Sequence, residues 1–208
     1  MHTSTSARPQ VAASTRRLNW RVVDIVVGAV LGVAIGLVFW AWNTIGYAWF
    51  EAADALTPGF GGIAVGIWLI GGVIGGLVIR KPGAALFVEV IAALVEALIG
   101  NQWGLTSVLE GFVEALGAEL IFAVFAYRVF KLPVAMLAGA AAAVFATVWE
   151  WFTYYPSWAW GWKFAYTGFG AVSGAVLAGL LGWALVRAMA GTGVLDRFGA
   201  GRERASTV

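Results

Sequence analysis

The chain has 208 residues, of which 61% are hydrophobic and 12% are charged, with a formal net charge of +2. A soluble domain of this length would need a far more polar surface, so the composition predicts an integral membrane protein. The sequence has no cysteine, and its single histidine is His2. This excludes disulfides, thiolate chemistry and the usual histidine-based acid–base or metal sites, so we expect neither an enzyme nor a bound metal. We also expect no cofactor and no nucleic-acid partner.

The predicted elements follow in chain order. Residues 1–20 are polar, basic and poor in acids, which is typical of a disordered cytoplasmic tail. Hydropathy then predicts an all-α membrane domain over residues 21–190, followed by a basic cytoplasmic tail over residues 191–208. The six predicted spans lie at about 22–43, 62–79, 83–100, 104–127, 133–155 and 164–188.

The basic residues predict the orientation. If there are six spans, all but one of the 13 lysines and arginines fall on the side that holds both termini, the exception being Lys163. Positive charge is retained in cytoplasmic connections, so both termini are predicted to be cytoplasmic in a multi-pass plasma-membrane protein.

The first predicted span carries a ridge of small residues, Gly28, Gly32 and Gly36, at four-residue spacing. Such a ridge lets another backbone approach closely, either inside the bundle or in another membrane subunit. Because this ridge is regular and lacks polar atoms, we expect it to be a partner-docking face.

Carboxylates inside the predicted spans are the strongest functional signal, since an ionised carboxylate in hydrocarbon is costly unless it faces water or a partner. Glu89 and Glu96 are seven residues apart on the third helix, and Glu110 and Glu114 are four apart on the fourth, so each pair shares a face. The short connection NQWG makes these helices antiparallel neighbours. The four carboxylates are therefore predicted to line one crevice, with Glu96 near its outer mouth and Glu89 near its floor.

Amide and aromatic side chains are predicted around the mouth of this crevice, in the NQWG connection and at the outer end of the fifth helix. Flat rings, amide hydrogen bonds and negative charge together suit a planar, cationic heteroaromatic ligand. The residues predicted to bind it are Glu96, Glu114, Glu89, Glu110, Asn101, Gln102, Trp103, Trp151 and Tyr155.

The stretch KPGAALFVEVIAALVEALIGNQWG, followed by EGFVEALGAELIFAVFAYR, resembles the YkoE family, the substrate-binding (S) components of energy-coupling-factor (ECF) vitamin transporters. The resemblance covers about residues 20–188. It implies a six-helix bundle that captures thiamine or its hydroxymethylpyrimidine precursor in an outer pocket. It also implies a lid over residues 44–61, where Tyr47 would cover the ligand.

The same resemblance implies that the protein docks on a transmembrane T component that works with two ATPase subunits. The chain has no phosphate-binding loop motif, so the ATPases would be separate polypeptides. The alternative is a stand-alone proton-coupled secondary transporter of a cationic aromatic metabolite, because intramembrane acids without basic partners also serve proton relays. The sequence has no inverted repeat or broken helix pair, which argues against that alternative.

Overall fold

The computed structural model describes residues 18–205, with side chains described for residues 18–203. The predicted tail at 1–20 lies almost entirely outside the described residues. Within them the fold is all-helical, without β-strands. The elements are α1 Val22–Leu56, a 3₁₀ helix Phe60–Ile67, α2 Ile70–Ile79, α3 Ala84–Ile99, α4 Thr106–Val124, α5 Leu132–Thr153, α6 Trp160–Ser173, a π-helical segment Gly174–Leu180, α7 Leu181–Gly191 and α8 Gly199–Ala205.

Four helical runs in the described residues are long and apolar enough to cross a membrane: Val22–Leu56, Phe60–Ile79, Leu132–Thr153 and Trp160–Gly191. Helix α3 has only 16 residues, and α4 carries three glutamates among its 19 residues. These two helices pack against each other, and α3 also packs against α1 whereas α4 packs against α5. The acids that mark the predicted crevice therefore lie on two helices of which one, α3, is short and the other, α4, is rich in glutamate.

Helix α1 is longer than predicted and continues to Leu56 instead of ending near residue 43. The predicted bounds of the connection, residues 44–61, are therefore wrong, because residues 44–56 form the last turns of α1. Alanine, glutamate and leucine sustain the helix until Pro58 cannot continue it. The connection is then a tight turn, in which Asp54 accepts a hydrogen bond of 2.7 Å from the backbone N–H of Gly59, a glycine with φ of 86°.

The glycine ridge of α1 faces α3 inside the bundle. Gly28, Gly32 and Gly36 are all buried. A Cβ at Gly32 would lie 2.6 Å from Cγ2 of Ile91, and one at Gly36 would lie 2.7 Å from the carbonyl oxygen of Ala92. The predicted partner-docking role of these glycines is therefore wrong. A small-residue ridge brings two helices of one chain together in the same way as two subunits, and here α3 occupies it.

The end of the bundle that carries Arg21, Asp24 and Lys81 is called here the basic end. It is held together by ion pairs and by the C-terminal segment. Asp24 is fully buried and pairs with Arg21 at 2.7 Å and with Lys81. In the predicted basic tail, Leu195 and Phe198 are each 3% exposed. The described part of that tail therefore folds back onto the basic end.

Candidate functional site: an acidic pocket with aromatic walls

A cavity of about 240 Å³ lies where α1, the 3₁₀ helix and α3 to α6 meet. Five of its lining residues are glutamates, eight are aromatic and none is basic. The lining residues are Phe39, Tyr47, Phe50, Val65, Trp68, Glu89, Ala93, Glu96, Trp103, Ser107, Glu110, Gly111, Glu114, Glu150, Tyr154, Tyr155 and Tyr166.

The structure brings most of the predicted binding residues together in this cavity. The four glutamates whose spacing predicted a shared crevice all line it, and so do Tyr47, Trp103 and Tyr155. Helices α3 and α4 approach closely there, because a Cβ at Gly111 would lie 2.8 Å from the Cβ of Ala93.

Three predicted residues do not line the cavity. The side chain of Asn101 shapes the connection, since its Oδ1 accepts hydrogen bonds from the backbone N–H groups of Trp103 at 3.0 Å and Gly104 at 2.6 Å. Gln102 is exposed at the tip of that connection. Trp151 is one position beyond a cavity residue on α5, so it points away and donates from Nε1 to the carbonyl oxygen of Lys163 at 3.1 Å.

Glu89 lies at the cavity floor and is 1% exposed. Its Oε2 accepts a hydrogen bond from the backbone N–H of Gly72, in the first turn of α2, where a helix favours negative charge. A Cβ at Gly71 would lie 2.8 Å from the same oxygen, so a residue without a side chain is needed for this approach. The other oxygen, Oε1, is buried and has no hydrogen-bond partner among the described residues.

Glu96 is held by a polar bridge from α1. The Nδ2 group of Asn43 donates to Oε2 of Glu96 at 2.8 Å, and Oδ1 of Asn43 accepts from Nε1 of Trp68 at 2.7 Å. Asn43 thus ties α1, the end of the 3₁₀ helix and α3 to one carboxylate. Asn43 is absent from the predicted binding residues, although an amide within an apolar helix already requires a partner.

Two tyrosines orient the carboxylates on the other side of the cavity. Tyr166, which is 1% exposed, donates from its hydroxyl to Oε2 of Glu150, and Tyr154 donates to Oε2 of Glu110 at 3.1 Å. Glu150 was missing from the predicted binding residues. Its signal was the same as that of the four chosen glutamates, an acid inside a predicted span.

Aromatic rings form continuous walls around the carboxylates. Trp103 makes edge-to-face contacts with Tyr47 at 5.4 Å and with Trp68 at 6.0 Å between ring centroids. Tyr155 is stacked on Trp158 at 4.1 Å. The connection after α3 and the outer end of α5 therefore both contribute ring surfaces against which a flat ligand can pack.

Glu119 lies outside the cavity, where it stabilises the start of α3. Its carboxylate accepts hydrogen bonds from the backbone N–H groups of Gly83 at 2.6 Å and Ala85 at 2.9 Å, and from the hydroxyl of Tyr127 at 2.7 Å. Burial, together with this hydrogen bond, raises the pKa of Tyr127. An acid within a predicted span can therefore have a purely structural role.

The chemistry of the pocket follows from its lining. Carboxylates and aromatic faces both attract a cation, and no lining side chain competes as a basic partner. The described residues contain no group of three or more His, Cys, Asp or Glu side chains placed to hold a metal ion. The arrangement suits an organic cation or a polar heterocycle.

A helical membrane bundle that encloses such a pocket has the architecture of a membrane transport component. Residues 23–145 match a family model described as the permease component of an ABC-type cobalt transport system. The chain is also 38% identical over 190 residues to YkoE of Bacillus subtilis (strain 168), whose name describes an HMP/thiamine permease, covering 89% of this chain and 92% of that protein.

A solved structure described as the crystal structure of an S-component of an ECF transporter matches with a TM-score of 0.84 and 36% sequence identity. The match covers 91% of this chain and 95% of that one. The chain belongs to the permease family whose model matches residues 23–145, and to the YkoE family of ECF-transporter S components. The resemblance seen in the sequence is confirmed, and the protein is a multi-pass cell-membrane transport protein and not an enzyme.

Proposed function

We propose that this S component captures thiamine, or its hydroxymethylpyrimidine precursor, in the acidic pocket. The observation that carries the proposal is a pocket lined by five glutamates and no basic residue, with aromatic walls. The thiazolium ring of thiamine is a permanent cation, which carboxylates and aromatic faces stabilise. The aminopyrimidine ring, which both compounds contain, can stack on the aromatic walls and hydrogen-bond to carboxyl groups. The name of the related YkoE protein supports the same two ligands.

Within the pocket, Glu96 and Glu114 are the proposed contacts for the cation or the aminopyrimidine. Trp103 and Tyr155 are proposed to stack on the ligand, and the free Oε1 of Glu89 lies below them at the floor. Hydroxymethylpyrimidine lacks the thiazolium charge, so the number of carboxylates favours thiamine.

The proposed topology has six membrane-spanning helices, with α3 and α4 included, both termini in the cytoplasm and the pocket open to the outside. Arg80 and Lys81 precede α3 at the basic end, whereas Glu96 and Trp103 lie at the opposite end of that helix. Positive charge favours the cytoplasmic side, so the pocket end faces outward. Lys163, the exception to the charge rule, is 5% exposed and donates from Nζ to the carbonyl oxygen of Pro156 at 3.2 Å.

We propose that ATP-driven uptake requires a transmembrane T component and two ATPase subunits on separate chains. The membership of this chain among ECF S components supports such partners in general. Their docking face excludes the glycine ridge of α1, which α3 covers.

Titration of the purified protein with thiamine and with hydroxymethylpyrimidine, followed by tryptophan fluorescence, tests the proposal. A unit charge about 4 Å from a carboxylate interacts by about 4 kcal/mol at an effective dielectric constant of 20. Glutamine keeps part of the hydrogen bonding, so the Glu96→Gln/Glu114→Gln double variant is expected to weaken thiamine binding by roughly 100-fold or more. Hydroxymethylpyrimidine binding is expected to fall much less, because that ligand carries no fixed charge.

Asp196→Asn is the control variant, since Asp196 is exposed at the basic end and does not line the pocket. Unchanged affinity of the double variant for both ligands would remove the proposed site. Uptake by the isolated protein in liposomes with a pH gradient and no ATPases would support the proton-coupled alternative instead.

A further inference from the structure

A second cavity, of about 1060 Å³, opens at the basic end and shares no lining residue with the acidic pocket. Four basic residues line it, namely Arg80, Arg128, Lys131 and Arg187, against the single acid Glu203. The two cavities therefore have opposite charge.

Arg80 forms part of the cavity wall and is already fully engaged. Its Nε donates to the carbonyl oxygen of Leu77 at 2.9 Å, and its Nη1 lies 2.7 Å from Oε1 of Glu203. Its guanidinium also lies 4.6 Å from the centroid of the Phe130 ring. The negative charge of Glu203 is thus offset by Arg80, and the other three basic residues give the cavity its positive charge.

Arg128, Lys131 and Arg187 are exposed and available to an anion. None of them has a carboxylate within 4.0 Å in the part of the chain that the structure describes. They come from two separate segments, the connection between α4 and α5 and the end of α7. Both segments therefore present basic groups to the same cavity.

The connection that carries Arg128 and Lys131 is held in an unusual conformation. Ala126 and Tyr127 have φ values of 51° and 53°, in the left-handed region that residues other than glycine avoid. The hydroxyl of Tyr127 is fastened to Glu119 at 2.7 Å, and its backbone N–H donates to the carbonyl oxygen of Phe122 at 2.8 Å. Backbone strain that the surrounding contacts maintain is characteristic of functional segments.

The walls of the cavity are partly apolar. Phe130 is 6% exposed, and the guanidinium of Arg187 lies 4.7 Å from the centroid of the Trp183 ring. Basic groups over an apolar and aromatic surface fit a phosphate that is attached to an organic body, because guanidinium groups bind phosphate oxygens in pairs and the body packs on the rings.

We propose that this basic cavity is a binding site for a phosphate ester, in which Arg128, Lys131 and Arg187 contact the phosphate. Two sources carry this chemistry: the headgroup of an anionic phospholipid in the surrounding bilayer, and a soluble phosphate ester. Basic pockets between membrane helices on the cytoplasmic side are suited to anionic headgroups. The site is separate from the acidic pocket, so this proposal does not depend on the identity of the transported ligand.

Native mass spectrometry of the delipidated full-length protein tests the lipid source, with phosphatidylglycerol compared with phosphatidylcholine of the same acyl chains. Inorganic phosphate added as a competitor tests the soluble source. Each basic residue near an anionic headgroup contributes about fivefold in affinity, so Arg128→Gln/Arg187→Gln is expected to weaken binding roughly 25-fold. The matched control is Arg197→Gln/Arg202→Gln, which removes the same charge near the same end from residues that do not line the cavity.

Preferential binding of phosphatidylglycerol that phosphate does not displace would support the proposal with a lipid as the source. Displacement by phosphate would support it with a soluble phosphate ester as the source. Two results would overturn it: equal losses in the cavity variant and the control, or no preference for phosphatidylglycerol together with no phosphate binding. Thiamine binding in the outer pocket is expected to be unchanged in both variants.

Discussion

Replacing Asn43 by leucine removes the polar bridge that holds Glu96. The substitution keeps a side chain of similar length but deletes both hydrogen bonds of the amide, the 2.8 Å bond to Glu96 and the 2.7 Å bond from Trp68. Asn43 is 8% exposed, so bulk water has little access to these bonds. The substitution leaves the buried carboxylate oxygen of Glu96 and the partly buried indole N–H of Trp68 without their partner.

The loss of these two hydrogen bonds sets the expected decrease in the free energy of unfolding. Each buried polar group left unsatisfied costs about 1–3 kcal/mol, and the added apolar surface of leucine returns about 1 kcal/mol. The net destabilisation is therefore about 3 kcal/mol. For a chain of this size, roughly 2–4 °C is lost per kcal/mol, which predicts a Tm lower by roughly 6–12 °C.

Thermal unfolding in detergent, followed by intrinsic fluorescence, measures this effect, since the chain contains 12 tryptophans. Thr44→Val is the matched control, because Thr44 is exposed and its hydroxyl donates to the carbonyl oxygen of Ala41, at 3.0 Å. The control is expected to stay within about 0.5 kcal/mol of wild type. A double-mutant cycle that combines Asn43→Leu with Trp68→Phe is expected to show a coupling energy of about 1 kcal/mol or more.

Two results would refute the reasoning. One is a Tm for Asn43→Leu that matches that of Thr44→Val. The other is strict additivity in the cycle with Trp68→Phe, which would mean that the amide and the indole do not share a bond. Weaker thiamine binding is expected in the same variant, because Glu96 loses the group that orients it.

Two further predictions concern stability. Glu119→Gln places an amide among three donors and removes the charge that strengthens their bonds, so we expect a loss of about 2–4 kcal/mol by thermal unfolding. The exposed Glu51→Gln serves as its control, and equal stability of the two variants would contradict the role assigned to Glu119. Gly36→Ala places a Cβ 2.7 Å from the carbonyl oxygen of Ala92, so we expect overpacking of about 1–3 kcal/mol, reduced by about 1 kcal/mol of helix propensity. The control is Gly168→Ala in α6, where the added Cβ meets nothing within 4 Å, so this variant is expected to be neutral or stabilising. A Gly36→Ala protein as stable as this control would show that the glycine ridge is not packed against α3.

The pocket glutamates were predictable because their placement depends on local geometry. Glu89 and Glu96, like Glu110 and Glu114, share a helix face through spacing alone, and a short connection makes their helices neighbours. Trp151 was wrongly assigned to the pocket for the same reason that Glu150 was missed. Adjacent positions on a helix are rotated by about 100°, and the sequence of α5 alone does not determine which of its faces points into the pocket.

Composition and the distribution of charge by themselves determined that this chain is a membrane protein, since both depend only on the solvent that each segment tolerates. The absence of cysteine and the single histidine, His2, determined that cysteine and histidine chemistry is not used. Spacing determined that carboxylates would meet in one crevice. The tertiary structure alone decided the partner of each group. It assigned the glycine ridge to α3, Asn43 to Glu96 and Tyr166 to Glu150, because the packing of helices that are distant in sequence selects which faces meet.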